Sequence, residues 1–364
     1  MSAVTFALDR QSKEANEALW QGKVETQGNW VSVRPIEVLK ISPGIEKLVF
    51  AYVPVAELEK TPKLKRWWMA TRAYSLSATF MPCLAVLFYG FTQAWSVRPV
   101  VALLAGLGAV LLQVSINLDN DVEDHLKLID LPGTNGGSGV IQRSWLSARE
   151  VKRFSRIALV FGVLCGLPAL FREPALVLGI GIAGVVGAIG YSGPFFRLKY
   201  RGLGDIAVFG LCGPALTAGF SLAAFGQLNA GVFWLGTFFG FAAEAILHTN
   251  NLQDIEEDLS RGAKTLAARM GFSRAKVFLI FIYVTAFSAL AVGVLTHVIP
   301  WACVVVIPIG FLFTGKLLRD VSKASGTLSP LLTGVRIQAA KTHLILGVLL
   351  CLTLLANIYG SSHG

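Results

Sequence analysis

Runs of about 20 apolar residues recur along the whole chain, each matching the hydrocarbon thickness of a bilayer, and no other feature restricts the fold as much. They lie at 76–95, 99–117, 155–171, 174–191, 205–226, 231–249, 276–297, 299–315 and 342–359, nine in all. In lipid each backbone N–H and C=O must find a partner inside its own segment or a closed barrel, so runs of this length predict helices. The expected fold class is therefore all-α, a polytopic bundle of about nine transmembrane helices. Composition agrees, with 54% hydrophobic and 15% charged residues against about a quarter charged in soluble domains. A mean hydropathy of +0.61 excludes an ordinary soluble enzyme.

The net charge of +10 does not point to nucleic acid. With the N-terminus inside, only Arg98 and Arg172 fall in far-side loops, so the excess follows the positive-inside rule. Long polar loops at 118–154, 192–204, 250–275 and 316–341 then all emerge on the cytoplasmic side, where the active site is expected. This charge bias, with no targeting segment, favours a bacterial inner membrane. Residues 1–62 are polar and aperiodic and lack the apolar stretch of a signal peptide, which makes them a cytoplasmic extension ahead of a membrane domain at 63–364. Within the extension "EKLVFAYVPVAEL" (45–57) alternates as a strand or an interfacial segment does, and "KLKRWWMATR" (63–72) suits a headgroup-level anchor.

The second span ends "SINLDNDVEDHLKLID", with Asn117, Asp121 and Asp124 at i, i+4 and i+7 on one helix face. The sixth ends with Asn250, Asp254 and Asp258 at i, i+4 and i+8, again one face. The sixth span comes four after the second, an even step, so both helices run in the same direction and both motifs open on the same side. Clustered carboxylates at a membrane face repel one another and need a cation. Asp and Asn oxygens select a hard one, and Mg²⁺ takes one or two carboxylates, keeps waters and fills its shell with substrate phosphates. The ligand so implied is a diphosphate, with Arg143, Lys199, Arg261 and Lys264 available for its remaining oxygens. Asp119, Glu123 and Asp130 are rivals to Asp124 in the first motif. A different class, a cation-coupled transporter using Asp121, Asp254, Glu244 and His248 as a relay, would place such groups nearer the midplane.

These residues resemble the UbiA superfamily of intramembrane aromatic prenyltransferases. Asn117-x-x-x-Asp121 followed by Asp124 is similar to its first Asp-rich motif, and "NNLQDIEEDLSRGAKTLAARMG" (250–271) to the second, in the form of the 1,4-dihydroxy-2-naphthoate prenyltransferases of menaquinone synthesis. "YSGPFFRLKYRGLGD" (191–205) resembles a third block of that branch through Tyr191, Lys199, Tyr200, Gly204 and Asp205. The chain departs from the pattern in the three-residue step to Asp124, in "GTNGGSGVIQRSWLS" (133–147), where Arg143 follows the glycines, in Ala73 where proline is common, and in Lys264 two places after Gly262.

The resemblance implies a UbiA-like bundle that transfers a polyprenyl group from polyprenyl diphosphate to an aromatic acceptor with Mg²⁺. Asn117, Asp121, Asp124, Asn250, Asp254 and Asp258 would hold the metal, and Lys199 with Arg143 or Lys264 the diphosphate. Tyr191 would face the allylic cation. Glu244 and His248, i and i+4 in the sixth span, with Asn251 beside them, are either acceptor contacts or an interhelical hydrogen-bonding pair. The acceptor implied is 1,4-dihydroxy-2-naphthoate with loss of CO₂; 4-hydroxybenzoate and homogentisate are the alternatives. Chain length of the prenyl group and oligomeric state are not encoded in any motif.

Overall fold

Continuous apolar sequence with few interior breaks forms long helices. The computed structural model, which describes residues 4–42, 44–54, 61–134, 136–171 and 174–362, contains eight long and apolar enough to cross a membrane among those residues. They are Ala73–Thr92, Pro99–Leu126, Ala148–Phe171, Gly204–Phe225, Ala230–Gln253, Phe272–Leu295, Trp301–Lys323 and Pro330–Gly360. The ninth expected run forms the shorter helix Pro174–Gly190, whose 17 residues rise about 25 Å. Most helices outrun the apolar sequence: Pro99–Leu126 continues through the whole first motif, and Pro330–Gly360 absorbs much of a segment expected to be loop. Their outward faces carry large apolar residues such as Leu103, Phe161, Phe281 and Leu312, as a lipid-facing surface requires. Arg172 lies outside the described residues.

The chain divides into two compact units, Met1–Ala73 with Val114–Ile157, and Tyr74–Gln113 with Ala158–Gly364. The second has a core drawn from most of its helices, including Tyr89, Leu235, Phe238, Phe239, Leu279 and Tyr283, all essentially inaccessible. There the helix Gly204–Phe225 passes the helix Ala230–Gln253 so closely that glycine is obligatory. A Cβ on Gly213 would lie 2.5 Å from the Gly240 Cα, and one on Gly240 2.7 Å from the Phe209 carbonyl oxygen. Pro214 cannot donate to the preceding turn, and a π-helical turn at Leu211–Ala215 accommodates it. Thr217 Oγ1 donates to the Gly213 carbonyl at 3.1 Å and so covers one exposed acceptor. Gly213→Leu is expected to force this crossing apart and cost about 1–3 kcal/mol. The measurement is a lowered apparent Tm in detergent, whereas Gly210→Leu, where a Cβ meets nothing within 4 Å, should leave it unchanged.

In the other unit the extension is not aperiodic. Four antiparallel strands, β1 (Thr5–Asp9), β2 (Lys23–Thr26), β3 (Asn29–Ser42) and β4 (Ile45–Tyr52), form a sheet in the order β1-β4-β3-β2. The helical expectation thus describes the membrane-spanning part, and the strand reading of 45–57 holds through Tyr52; residues 55–57 lie outside the described residues. Gln27 and Gly28, both at positive φ, make the two-residue β2–β3 turn. A helix at Lys13–Gln21, capped by Ser12 and closed by left-handed Gly22, covers the sheet. Its Ala15, Ala18 and Leu19 pack with Val33, Leu48 and Phe50, and the same cluster takes in Leu128 and Leu131 from the segment after the first motif.

Candidate active site

The first motif sits on the last turns of Pro99–Leu126, where helical spacing turns Asn117 and Asp121 the same way. Asn117 Nδ2 donates to the Thr71 carbonyl at 3.0 Å. Asp121, 2% exposed, is paired with the Arg72 guanidinium and held by Ser138 through its hydroxyl and its backbone N–H at 3.1 Å. Arg72 is therefore not a headgroup anchor: the chain turns at that residue with φ 51° and sends the side chain to Asp121. Gly136 and Gly137 explain the glycines of this loop. A Cβ on Gly136 would overlap the Asp130 carboxylate, and one on Gly137 would lie 2.7 Å from Asp130 Oδ2 and 3.0 Å from Asp121 Oδ1. Two carboxylates thus converge where the backbone has no side chain.

The other acidic residues of the motif have different partners. Asp124 is 1% exposed and accepts from Asn120 Nδ2 at 2.9 Å. Asp119 and Glu123 both pair with Lys152, at 2.5 and 3.1 Å, and Glu123 also with Lys127 at 3.0 Å. Arg143 turns back on its own loop, donating to the Ser138 carbonyl at 3.3 Å with its guanidinium 5.0 Å from the Trp145 ring centroid.

The second motif begins on Ala230–Gln253, whose end is pinned where Gln253 Nε2 donates to the Leu332 carbonyl at 2.6 Å. The helix breaks at Asp254 (φ −96°, ψ 8°) and resumes as Ile255–Ser260, yet the i+4 bonds persist from Asp254 N to Asn250 O and from Asp258 N to Asp254 O, at 3.1 and 2.8 Å. Asn250 Oδ1 is buried with no hydrogen-bond partner among the described residues, an oxygen with an unused lone pair at the acidic helix end. Burial, together with Asp254, pushes the Glu257 carboxyl up to about 7 against the pull of Arg261 and Arg336. Asp258 accepts from Thr265 Oγ1 at 2.9 Å, and Thr265 caps the next short helix, Leu266–Met270.

The third block joins this end. A backbone bond from Lys199 N to Tyr191 O at 3.0 Å closes its loop, and one from Lys264 N to Tyr200 O at 3.3 Å ties the loop to the second motif. Arg269 Nη2 donates to the Arg201 carbonyl at 2.8 Å, and left-handed Gly202 lets this approach happen, since a Cβ there would lie 2.8 Å from Arg269 Nε. Lys199 Nζ lies 5.6 Å from the Tyr200 ring centroid, and Lys264 is exposed. Tyr191, 8% exposed, has its hydroxyl beside Gly204. Next to it Asp205 Oδ1 meets His248 Nδ1 at 3.2 Å, and His248 Nε2 faces the Ala275 carbonyl at 2.9 Å. His248 thus bonds to two other helices through Asp205 and the Ala275 carbonyl, and the part Asp205 plays in this was not suggested by the sequence. Glu244 and Asn251 are buried on the same helix, each 5% exposed.

Among the described residues no three Asp, Glu, His or Cys side chains converge on a metal position by themselves. The donor set is nevertheless that of a hard cation in the Mg²⁺ manner, which completes its shell with water and substrate phosphate rather than a full protein cage. Taken each by itself, the Asp121–Asp130 convergence in the first motif and the unpartnered Asn250 oxygen in the second fit such a cation.

Residues 79–331 match the UbiA prenyltransferase family. The chain belongs to that family. A 1,4-dihydroxy-2-naphthoate octaprenyltransferase of Haemophilus influenzae is 29% identical over 316 residues, which cover 80% of this chain and 96% of the relative. The Escherichia coli enzyme of the same name is 31% identical over 228 residues, covering 60% and 72%. Among solved structures, a UbiA homolog from Archaeoglobus fulgidus bound to GPP and Mg²⁺ superposes with a TM-score of 0.56 at 16% identity, over 81% of this chain and 99% of the homolog, and shares the fold. The protein is a membrane-embedded prenyltransferase.

Proposed function

We propose that this prenyltransferase moves a polyprenyl group from polyprenyl diphosphate to 1,4-dihydroxy-2-naphthoate with loss of CO₂, in a bacterial inner membrane with its N-terminus in the cytoplasm. The observation that supports this most is the docking of the third block on the second motif, which joins the segment carrying Lys199 to the segment carrying Lys264. The naphthoate acceptor rests on the relatives in Haemophilus and Escherichia, and the metal on the Archaeoglobus homolog and on the carboxylate and amide oxygens described above.

In this reading Asn117, Asp121 and Asp130 from the first motif, and Asn250 and Asp254 from the second, would hold Mg²⁺, with Asp124 and Asp258, which accept from Asn120 and Thr265, as the further carboxylates of the two motifs. Bound Mg²⁺ supplies charge neutralisation for the departing diphosphate. Arg72 releases Asp121 to the incoming substrate. Lys199 and Lys264 take the free phosphate oxygens, Lys199 stabilising them as the allylic C–O bond breaks and the bonding pair leaves with the diphosphate. Arg143 braces the loop that carries Ser138 and reaches the diphosphate only at its edge. The Tyr191 ring faces the allylic cation, and the membrane bundle excludes the water that would capture it. The Asp205–His248 pair positions Glu244, which with Asn251 takes the acceptor hydroxyls. The ring carbon bearing the carboxylate forms the new C–C bond, and the carboxyl group leaves as CO₂, returning its bonding pair to the ring.

Lys199→Gln is expected to lower kcat/KM for polyprenyl diphosphate about tenfold or more, as the loss of a charged hydrogen bond implies, with the larger part of the loss in kcat because the contact strengthens as the leaving group gains charge. The test of the acceptor uses purified protein in detergent with Mg²⁺, radiolabelled polyprenyl diphosphate and, separately, dihydroxynaphthoate, 4-hydroxybenzoate and homogentisate. Label in a decarboxylated prenyl naphthol is the expected product; label in either other acceptor alone overturns the naphthoate assignment while leaving the chemistry.

A further inference from the structure

A cavity of about 400 Å³ lies in the unit that holds the extension, between the helix Lys13–Gln21, strand β3 and the loop that follows the first motif. The family match begins at residue 79, so membership accounts for nothing in the extension. None of Asn117, Asp121, Asp124, Asp130 and Ser138 lines the cavity. Its size falls in the range of small-molecule sites, about 300–1,000 Å³.

Its chemistry is specific. His125 lines it, is 2% exposed, and has Nε2 3.1 Å from the Leu19 carbonyl. A carbonyl only accepts, so in the neutral ring Nε2 carries the proton and Nδ1 is an acceptor. Nδ1 is buried without a hydrogen-bond partner among the described residues, and so is the hydroxyl of Ser144, another lining residue. Buried acceptors left unmatched are costly, and a hydroxyl donor entering the cavity removes that cost. Lys23 and Arg149 also line the cavity and form no ion pair among the described residues. The single acidic residue of the lining, Glu150, is already engaged: its carboxylate accepts from Ser147 N at 2.8 Å and Ser147 Oγ at 2.7 Å, closing a capping box. Leu19, Ile141 and Trp145 give the space an apolar wall.

We propose that this cavity binds a small anion that also carries a hydroxyl donor on an apolar body, a hydroxyaryl carboxylate by chemical class. The hydroxyl donates to His125 Nδ1, the carboxylate meets Lys23 and Arg149, and the body lies against Trp145. Because the same loop carries Ser138, which holds Asp121, and the lining residues Ile141, Ser144 and Trp145, an occupant bears on the first motif from outside the reaction site. The extension becomes the ligand-sensing part of the enzyme.

The test is equilibrium dialysis of the full-length protein in detergent against radiolabelled 3-hydroxybenzoate, whose hydroxyl cannot bond to its own carboxylate, benzoate and inorganic phosphate, with protein-free micelles subtracted. Saturable binding of 3-hydroxybenzoate is expected, with benzoate weaker by about tenfold, the effect of one lost hydrogen bond to a buried acceptor. The double substitution Lys23→Gln with Arg149→Gln, at two exposed side chains, is expected to weaken 3-hydroxybenzoate at least about tenfold without lowering the apparent Tm. His125→Phe should abolish the preference over benzoate if the variant folds, and the double variant carries the test if it does not. Absence of saturable binding, equal affinity for benzoate or for phosphate, or binding that survives the double substitution, as occupancy of the prenyl-acceptor site would, overturns the proposal.

Discussion

Asp254→Ala is expected to reduce kcat/KM for prenyl transfer by about a thousandfold or more, the scale on which losing a preorganised electrostatic contact to a developing charge is felt. The residue stands at the break between Ala230–Gln253 and Ile255–Ser260, half-buried, one turn beyond the unpartnered Asn250 oxygen and beside Glu257. Its backbone rather than its side chain maintains the helical bonds across the break, so the variant should fold with an unchanged apparent Tm. Asp254→Asn keeps the shape and one donor oxygen but removes the charge, and should recover little activity. Activity of either variant within tenfold of the parent would remove the second motif from the chemistry.

Asp205→Ala should have the largest effect on stability. It leaves His248, fully inaccessible and bonded on its other side to the Ala275 carbonyl, without its carboxylate partner. Breaking a buried pair from one side costs about 3–5 kcal/mol, because the remaining group stays buried and unmatched. The expected result is a large fall in apparent Tm in detergent. Asp205→Asn, which still accepts a hydrogen bond, should lie between the two. If Asp205→Ala unfolds with the parent, the pair has no structural role, and His248 returns to being a direct contact of the acceptor.

What the sequence made legible, and what it did not, follows from the range of the interactions involved. The spanning helices and the shared face of Asn117 and Asp121, or of Asn250 and Asp254, are local periodicities of 3.6 residues and long apolar runs. The β-sheet of the extension was hidden because its longest strand carries register shifts between Pro35 and Glu37 and between Lys40 and Ser42, which destroy the alternation a strand otherwise displays. Arg72 looked like one cation among several in a basic anchor, since its partner Asp121 is 49 residues away and neither residue signals the other. Asp205 and His248 are 43 residues apart, and only the "LGD" of the third block hinted that an acid mattered there. That Asp130 comes beside Asp121 at Gly137 could not be read from the chain, because the approach depends on the fold of a glycine loop.

The most direct measurement of the central claim uses 1,4-dihydroxy-2-naphthoate labelled with ¹⁴C at its carboxyl group, with purified protein, Mg²⁺ and unlabelled polyprenyl diphosphate. The reaction described here predicts one ¹⁴CO₂ released per prenyl naphthol formed, only when the diphosphate is present, and none after chelation with EDTA or in Asp121→Ala and Asp254→Ala. Release of ¹⁴CO₂ without diphosphate, prenylated product that keeps its label, or full turnover in EDTA would contradict it.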